Sequence, residues 1–311
     1  MKHQRGAALL AAMLTVTLVA TMAAAALWQQ WRSVEIEAAE RSRVQSAWIL
    51  TGALDWARLI LREDARTGGA DHLAEPWALP LQEARLSTFL AMDASTADTD
   101  RDAFLSGQIS DLQARMNVMS LIDGDKLHEP ALLAFSRLFE QLGLPAPELT
   151  TLSSGLLAAK KGASADNLPV PLLPQRVDQL VWLGLSDRTV AVLRPHITVL
   201  PDPTKININT AGTEVLRASV PGLDLADAQR MVAARESAHF ATTADPRLPA
   251  AVTAASGQLA VTSAYFEVRG RLRLDQAVVE ELSVVQRAGL KVTTLWRERV
   301  IAPALPAGPG G

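Results

Sequence analysis

The residues best suited to chemistry in this 311-residue chain are carboxylates. Asp98-x-Asp100-x-Asp102 follows Asp93 and opens like an EF-hand loop. Calcium takes roughly six to eight oxygen ligands, with Gly at the sixth loop position and a bidentate Glu at the twelfth. Those positions are Ala103 and Ile109 here, so the segment is not an EF-hand. Asp98, Asp100 and Asp102 stand as candidate calcium ligands in a looser site, against the alternative of a solvated acidic loop. Asp123-Gly124-Asp125 reads as a turn rather than a ligand pair. Asp245, in the loop 242–256, is a further source of oxygens. The histidines (His3, His72, His128, His196, His239) show no metal-binding spacing, and no phosphate-binding loop, Gly-x-Gly-x-x-Gly or Gly-x-Ser-x-Gly motif occurs. Cysteine is absent, which removes thiol nucleophiles, thiolate metal sites and disulfides. The sequence predicts a protein that is not an enzyme. Trp77, Trp182 and Trp296 read as core or interface anchors rather than cofactor platforms.

Binding to nucleic acid is the other chemistry to weigh. Ile206-Asn207-Ile208-Asn209-Thr210-Ala211, then Pro221-Gly222-Leu223, then Ala226 to Arg235 outline two short helices joined by a turn, with Thr210 as the expected N-cap. The arrangement resembles a helix-hairpin-helix, whose DNA-binding versions present backbone N–H groups to a phosphate from a Gly-apolar-Gly turn. Asp224 replaces the second glycine. Residues 206–240 carry three Arg and no Lys against four acids, and the whole chain has 30 Lys+Arg against 33 Asp+Glu. Without a positive field there is little to hold a duplex. The unit therefore reads as a structural or protein-binding module, and a membrane-anchored DNA-binding receptor using Arg217, Arg230 and Arg235 is the alternative.

These segments hang from an unusual N-terminus. Lys2 and Arg5 form a basic leader ending at Gly6, and Ala7 to Leu27 carry no charge. About 20 residues at ~1.5 Å each match a hydrocarbon core of about 30 Å. Trp28 and Trp31 follow, where amphipathic rings favour the interface. The positive-inside rule keeps the N-terminus cytoplasmic and sends the bulk of the chain across the membrane. A cleaved signal peptide is the competing reading. Against it, no Pro occurs before Pro76, and Ala47, Leu50, Leu54, Ala57 and Leu61 recur at helical steps. One helix, 7–64, is expected to span the membrane over 7–27 and then dock on a soluble domain.

Residues 65–122 are mixed, with Ile109–Leu121 expected as one bent strand. Helical patterning then dominates 123–250, around Leu132-Leu133-x-Phe135-x-x-Leu138-Phe139, a small-residue helix or linker at Ser153–Asp166, and two short helices split at Gly184. Five prolines between Pro145 and Pro174 mark loops. From 251 to 300 the period is two, through Phe266, Val268, Gly270, Leu272 and Leu274, then Val278–Gln286, then Lys291–Arg297. The Pro/Gly-rich tail 301–311 is expected to be disordered. The fold class is α+β: a long N-terminal helix, a large helical insertion containing the 206–240 unit, and a C-terminal antiparallel sheet.

A basic leader ending in Gly6 before an apolar helix resembles the type IV pilin-like proteins. That resemblance implies cleavage by a prepilin peptidase between Gly6 and Ala7, and packing of Ala7, Ala11 and Leu14 against partner helices. Ala11 stands where pilins usually carry Glu, which fits a subunit with none above it, at a fibre tip. Trp56-Ala57-Arg58, Glu63-Asp64, Asp71-His72-Leu73-Ala74-Glu75-Pro76-Trp77-Ala78, Ile109-x-Asp111-Leu112-Gln113-x-Arg115-Met116-Asn117 and the NINTA segment together resemble the protein K family of type II secretion minor pseudopilins. Met119 departs from the family's second asparagine, and Leu156–Lys160 stands where many members are acidic. The resemblance implies a type IV pilin-like fold whose sheet is interrupted by the helical insertion. It further implies an inner-membrane anchor with the bulk of the chain in the periplasm, a pseudopilus-tip position beside minor pseudopilins I and J, then H and the major pseudopilin, contact with the inner-membrane secretion platform, and export of folded periplasmic proteins. Calcium is bound in some members.

Overall fold

The computed structural model describes residues 4–86, 103–162, 171–274 and 277–301. Helix α1 (Gln4–Thr67) runs unbroken for 64 residues. It ends where Gly68 and Gly69 take φ of +69° and +119°, the left-handed region in which a Cβ is strained. Its second half is amphipathic. Leu50, Leu54, Ala57 and Leu61 are buried at the three- and four-residue steps seen in the sequence, each leucine contributing about 1.5–3 kcal/mol by leaving water.

Those side chains lie on a five-stranded antiparallel sheet. A short 3-10 turn at Pro76–Ala78 leads to β1 (Leu81–Arg85), and β2 (Ala103–Asp111) pairs with it. The chain then leaves the sheet and returns more than 150 residues later as a meander. Before that return come the two-residue strands β3 (Met116–Asn117), β4 (Ile122–Asp123), β5 (Lys126–Leu127), β6 (Ile197–Thr198), β7 (Ile206–Asn207) and β8 (Leu259–Ala260). The meander is β9 (Tyr265–Leu274), β10 (Ala277–Ala288) and β11 (Lys291–Ile301), and the sheet order is β1-β2-β9-β10-β11. One sheet is thus interrupted between Asp111 and Tyr265, and the interval contains the residues 123–250 expected as the helical insertion. Gly107 and Gly270 are register partners beneath α1. A Cβ on Gly270 would stand 3.3 Å from Leu50 Cδ2, so the missing side chain sets how closely the helix approaches.

The insertion has its own core. Helices α2 (Glu129–Gln141), α3 (Ala146–Lys161), α4 (Asp187–Leu193), α5 (Thr213–Ser219), α6 (Leu225–Ser237) and α7 (Ala250–Ala254) surround Phe135, Leu138, Leu152, Leu193, Leu216 and Phe240, all buried. Gly143 ends α2 region at φ +64°, as its place in the sequence predicts.

Three sequence expectations are corrected here. Ile109–Leu121 is not one strand. Asp111 Oδ1 accepts from Gln113 N at 2.7 Å and Asn117 Oδ1 from Met119 N at 3.1 Å, so two Asx-type turns break it into 3-10 segments around β3. Thr210 does not cap α5. Gly212 does, because the Thr210 hydroxyl is committed elsewhere. Pro145 and Pro147 do not mark a loop but start α3, where a missing N–H costs nothing. Strand β11 runs to Ile301, and the remainder of the tail lies outside the described residues.

Candidate functional site

Two polar clusters and one bare helix face are the features from which function can be built. The first cluster is the hinge point of the interrupted sheet. Asp111, the last residue of β2, is 5% exposed and accepts four hydrogen bonds: from Gln113 N at 2.7 Å, Thr210 Oγ1 at 2.6 Å, Ser263 Oγ at 2.6 Å and Asn207 Nδ2 at 3.0 Å. Burial pushes its carboxyl pKa up, and these four donors pull the other way by favouring the charged form. Asn209 completes the joint by bonding both ways with Phe240, at 2.9 Å and 2.8 Å. The Ile-x-Asp and NINTA segments are therefore two halves of one structure. It fastens the sheet, the helical insertion and the return to β9. Sequence reading found both segments but not their contact.

The second cluster lies where α1 ends. Asp64, Asp71 and Glu75 hold carboxylate oxygens within 4.8 Å of one another. The Arg287 guanidinium, from β10, donates to Asp64 Oδ2 at 2.5 Å and to Asp71 at 2.6 Å. This is the one trio of potential metal ligands among the described residues, and an arginine already supplies its counter-charge. Asp71 also accepts from Ser263 N at 2.5 Å, and Glu75 from His72 N and Trp77 Nε1. Calcium requires roughly six to eight oxygens free to coordinate, and this set does not fit it. Asp245 is held by Arg247 through both carboxylate oxygens, and Asp123-Gly124-Asp125 is the turn of the β4–β5 hairpin with Gly124 at φ +58°. Asp98, Asp100 and Asp102 lie outside the described residues.

The helix-hairpin-helix-like unit is present as α5, a turn at Pro221-Gly222 and α6, with Gly222 at φ +78°. Its chemistry differs from a phosphate nest. Asp224 Oδ1 accepts from Asp227 N at 2.7 Å, so an anion occupies the helix N-terminus that a phosphate would need. Arg235 turns inward to the carbonyls of Ile208 and Ala211, and burial lowers its pKa to about 10. Arg230 pairs with Asp227. The expected alternative, a duplex held by Arg217, Arg230 and Arg235, lacks the basic face it needs.

What remains open is α1. Gly6 and Ala7 lie in its first turns. Ala11 and Leu14 are exposed, as is every side chain from Ala8 to Arg41 among the described residues. The helix is long and apolar enough to cross a membrane. Of the three tryptophans singled out, Trp77 is buried edge-on against Phe266, Trp296 is half-buried, and Trp182 stands 52% exposed on the insertion.

Comparison with known proteins agrees with this geometry. Two sequence profiles, both described as type II secretion system (T2SS), protein K, match residues 114–202 and 206–268. These are the insertion and its return into β9. The type II secretion system protein K of Pseudomonas aeruginosa is 26% identical over 340 residues, covering 100% of this chain and 95% of that protein. The one of Klebsiella pneumoniae is 28% identical, covering 93% and 94%. In fold, the chain resembles one from the crystal structure of the GspK-GspI-GspJ complex of the enterotoxigenic Escherichia coli type 2 secretion system. The TM-score is 0.61 at 18% identity, over 85% of this chain and 99% of that one. Profiles on the insertion, relatives aligned end to end and a shared fold all point the same way: the chain is similar to type II secretion system protein K.

Proposed function

We propose that this chain is a minor pseudopilin of the protein K type that acts by assembly rather than catalysis, as the cap of a periplasmic pseudopilus needed for export of folded proteins. The carrying observation is the bareness of α1: among the described residues every side chain from Ala8 to Arg41 is exposed, while the same helix is docked from Leu50 to Leu61 on the sheet. Leaving lipid for a fibre requires that other helices replace the bilayer around those residues. The helical insertion, rigidly joined through Asp111, is the bulky head such a cap needs. An N-terminus in the cytoplasm, cleavage between Gly6 and Ala7, and neighbours of the I and J type, then H and the major pseudopilin, follow from this reading. It is supported by the likeness in fold to a chain of the GspK-GspI-GspJ complex.

Ala11 is the sharpest point for a test. A carboxylate there would have to find a positive partner in a low-dielectric helix bundle, and a tip subunit has no neighbour above to supply one. Ala11→Glu should leave the soluble fold intact and reduce co-purification with minor pseudopilins I and J. Unchanged co-purification and unchanged export would contradict the tip assignment.

A further inference from the structure

A cavity of about 360 Å³ lies inside the helical insertion, and nothing in the assembly reading uses it. No residue lining it belongs to α1 or to the five-stranded sheet. Small-molecule sites occupy roughly 300–1,000 Å³ and are apolar with a few placed polar groups. Ala131, Ala134 and Phe135, at the i, i+3 and i+4 positions of α2, make one apolar wall, with Met116, Ile122 and Ile206 beside them. Two of the three α2 positions are alanine, which leaves the space beside Phe135 unfilled. Thr204 and Ser219 also line the cavity, and the hydroxyls of both are buried without a hydrogen-bond partner. Ser219, in the last turn of α5, is 3% exposed. In other helices of the chain Ser46, Thr51 and Ser153 satisfy their hydroxyls on the carbonyl three or four residues back, at 2.9, 2.8 and 3.0 Å, and Ser219 does not. Thr204 exchanges backbone hydrogen bonds with Ser120 Oγ at 3.2 and 3.3 Å, which fixes it in the wall with its own hydroxyl left over. A buried hydroxyl without a partner is destabilising, and a ligand acceptor relieves it.

Charge at the mouth selects the ligand. Asp123, Pro203, Lys205 and Gly257 are the exposed lining residues and mark where the cavity opens. The Lys205 ammonium has no ion pair among the described residues, while its backbone is fixed by Gln113 Nε2, which donates to the Lys205 carbonyl at 3.0 Å. His128 lines the same cavity as the N-cap residue of α2, and its side chain makes no capping bond. The start of that 13-residue helix adds partial positive charge. Asp123 stands opposite Lys126 across the β4–β5 hairpin, which offsets its charge. We infer that this cavity binds an amphipathic monocarboxylate of the medium-chain fatty acid class. Its alkyl chain lies against Phe135 and the neighbouring apolar side chains, and its carboxylate meets the Lys205 ammonium and the unpartnered hydroxyls. A carboxylate has acceptor sites for about four donors, so these groups do not compete. An amine would meet Lys205 as a like charge, and an alcohol would forgo the charge-assisted bond.

The test photolabels the full-length chain, purified in amphipol without lipid or detergent, with a diazirine derivative of a medium-chain acid. Adducts are mapped by mass spectrometry. They are expected on the segments 116–135, 203–206 and 257–258, and octanoate should displace them where octanol at the same concentration does not. Lys205 is exposed, so Lys205→Gln leaves the fold intact. It should raise the octanoate concentration needed by about tenfold, the worth of one charge-assisted hydrogen bond. Ala131→Phe, which fills the cavity, should abolish the labelling with the melting temperature retained. No adduct on those segments, equal displacement by octanol, or an unchanged octanoate requirement in Lys205→Gln would overturn the inference. So would displacement by a peptide carboxylate such as acetyl-leucyl-leucine but not by octanoate. All of these outcomes leave the assembly reading standing, because the cavity shares no residue with α1.

Discussion

Replacing Asp111 by alanine tests whether the sheet and the helical insertion form one rigid unit. Four buried donors converge on this carboxylate. Two have alternatives: Asn207 Nδ2 also reaches the Asp71 carbonyl at 3.1 Å, and Thr210 Oγ1 the Asn207 carbonyl at 3.4 Å. Gln113 N and Ser263 Oγ have none of comparable quality. Each stranded donor costs about 1–3 kcal/mol, and removal of the carboxylate's own burial penalty offsets part of that sum. The expected net loss is about 3 kcal/mol, a large share of the roughly 5–15 kcal/mol of a typical fold. Urea unfolding of the full chain in detergent measures it, with limited proteolysis around 112–116 and 258–264 as a second reading. The pH dependence supplies a check on sign. Because the folded pKa lies above the ordinary 3.8, the native state holds this proton more tightly. The associated stability is complete below pH 3.8 and is lost as pH rises through the folded value. Asp111→Asn should remove that slope. A loss under about 1 kcal/mol for Asp111→Ala, with unchanged proteolysis, would refute the argument that these bonds join the two parts.

Other substitutions read neighbouring terms. Arg287→Met leaves Asp64 and Asp71 without their counter-charge and should cost about 3–5 kcal/mol at neutral pH, with recovery in acid as these two carboxylates protonate; thermal melts at two pH values measure both. His72 and His239 stack at 3.9 Å, 10° from parallel, beside Glu75 and Arg247. Burial first, then His72, depresses the His239 pKa below 6.5, so its contribution is complete above that pH and falls as pH drops through 6.5 toward the folded value. His239→Gln should flatten this part of the stability profile. Gly270→Val should destabilise by about 1–3 kcal/mol, since its Cβ alone would press on Leu50; a neutral result in urea unfolding would mean that α1 can shift without cost.

Local and periodic information in the sequence carried much of this architecture. The buried stripe Leu50, Leu54, Ala57 and Leu61 was visible because a helix repeats its face every three to four residues. The β9–β11 meander was visible because strands alternate, and Gly184, at φ +90°, split the Gln175–Leu193 region as expected. The sites were less legible. Asp111 meets Asn207, Thr210 and Ser263 across 96 to 152 residues, and no local pattern records such a contact. The same long-range claim on Thr210 is why capping preference misplaced the start of α5. Arg287 could not be paired with Asp64 and Asp71 from spacing, since 216 or more residues separate them.

The central claim is assembly through a processed, bare N-terminal helix. Its most direct test is the mass of the N-terminal peptide from membranes, with and without a co-expressed prepilin peptidase. A chain that begins at Ala7 only when the peptidase is present is the predicted result. A start near Ala25, or an uncut Met1 in both samples, would contradict the account.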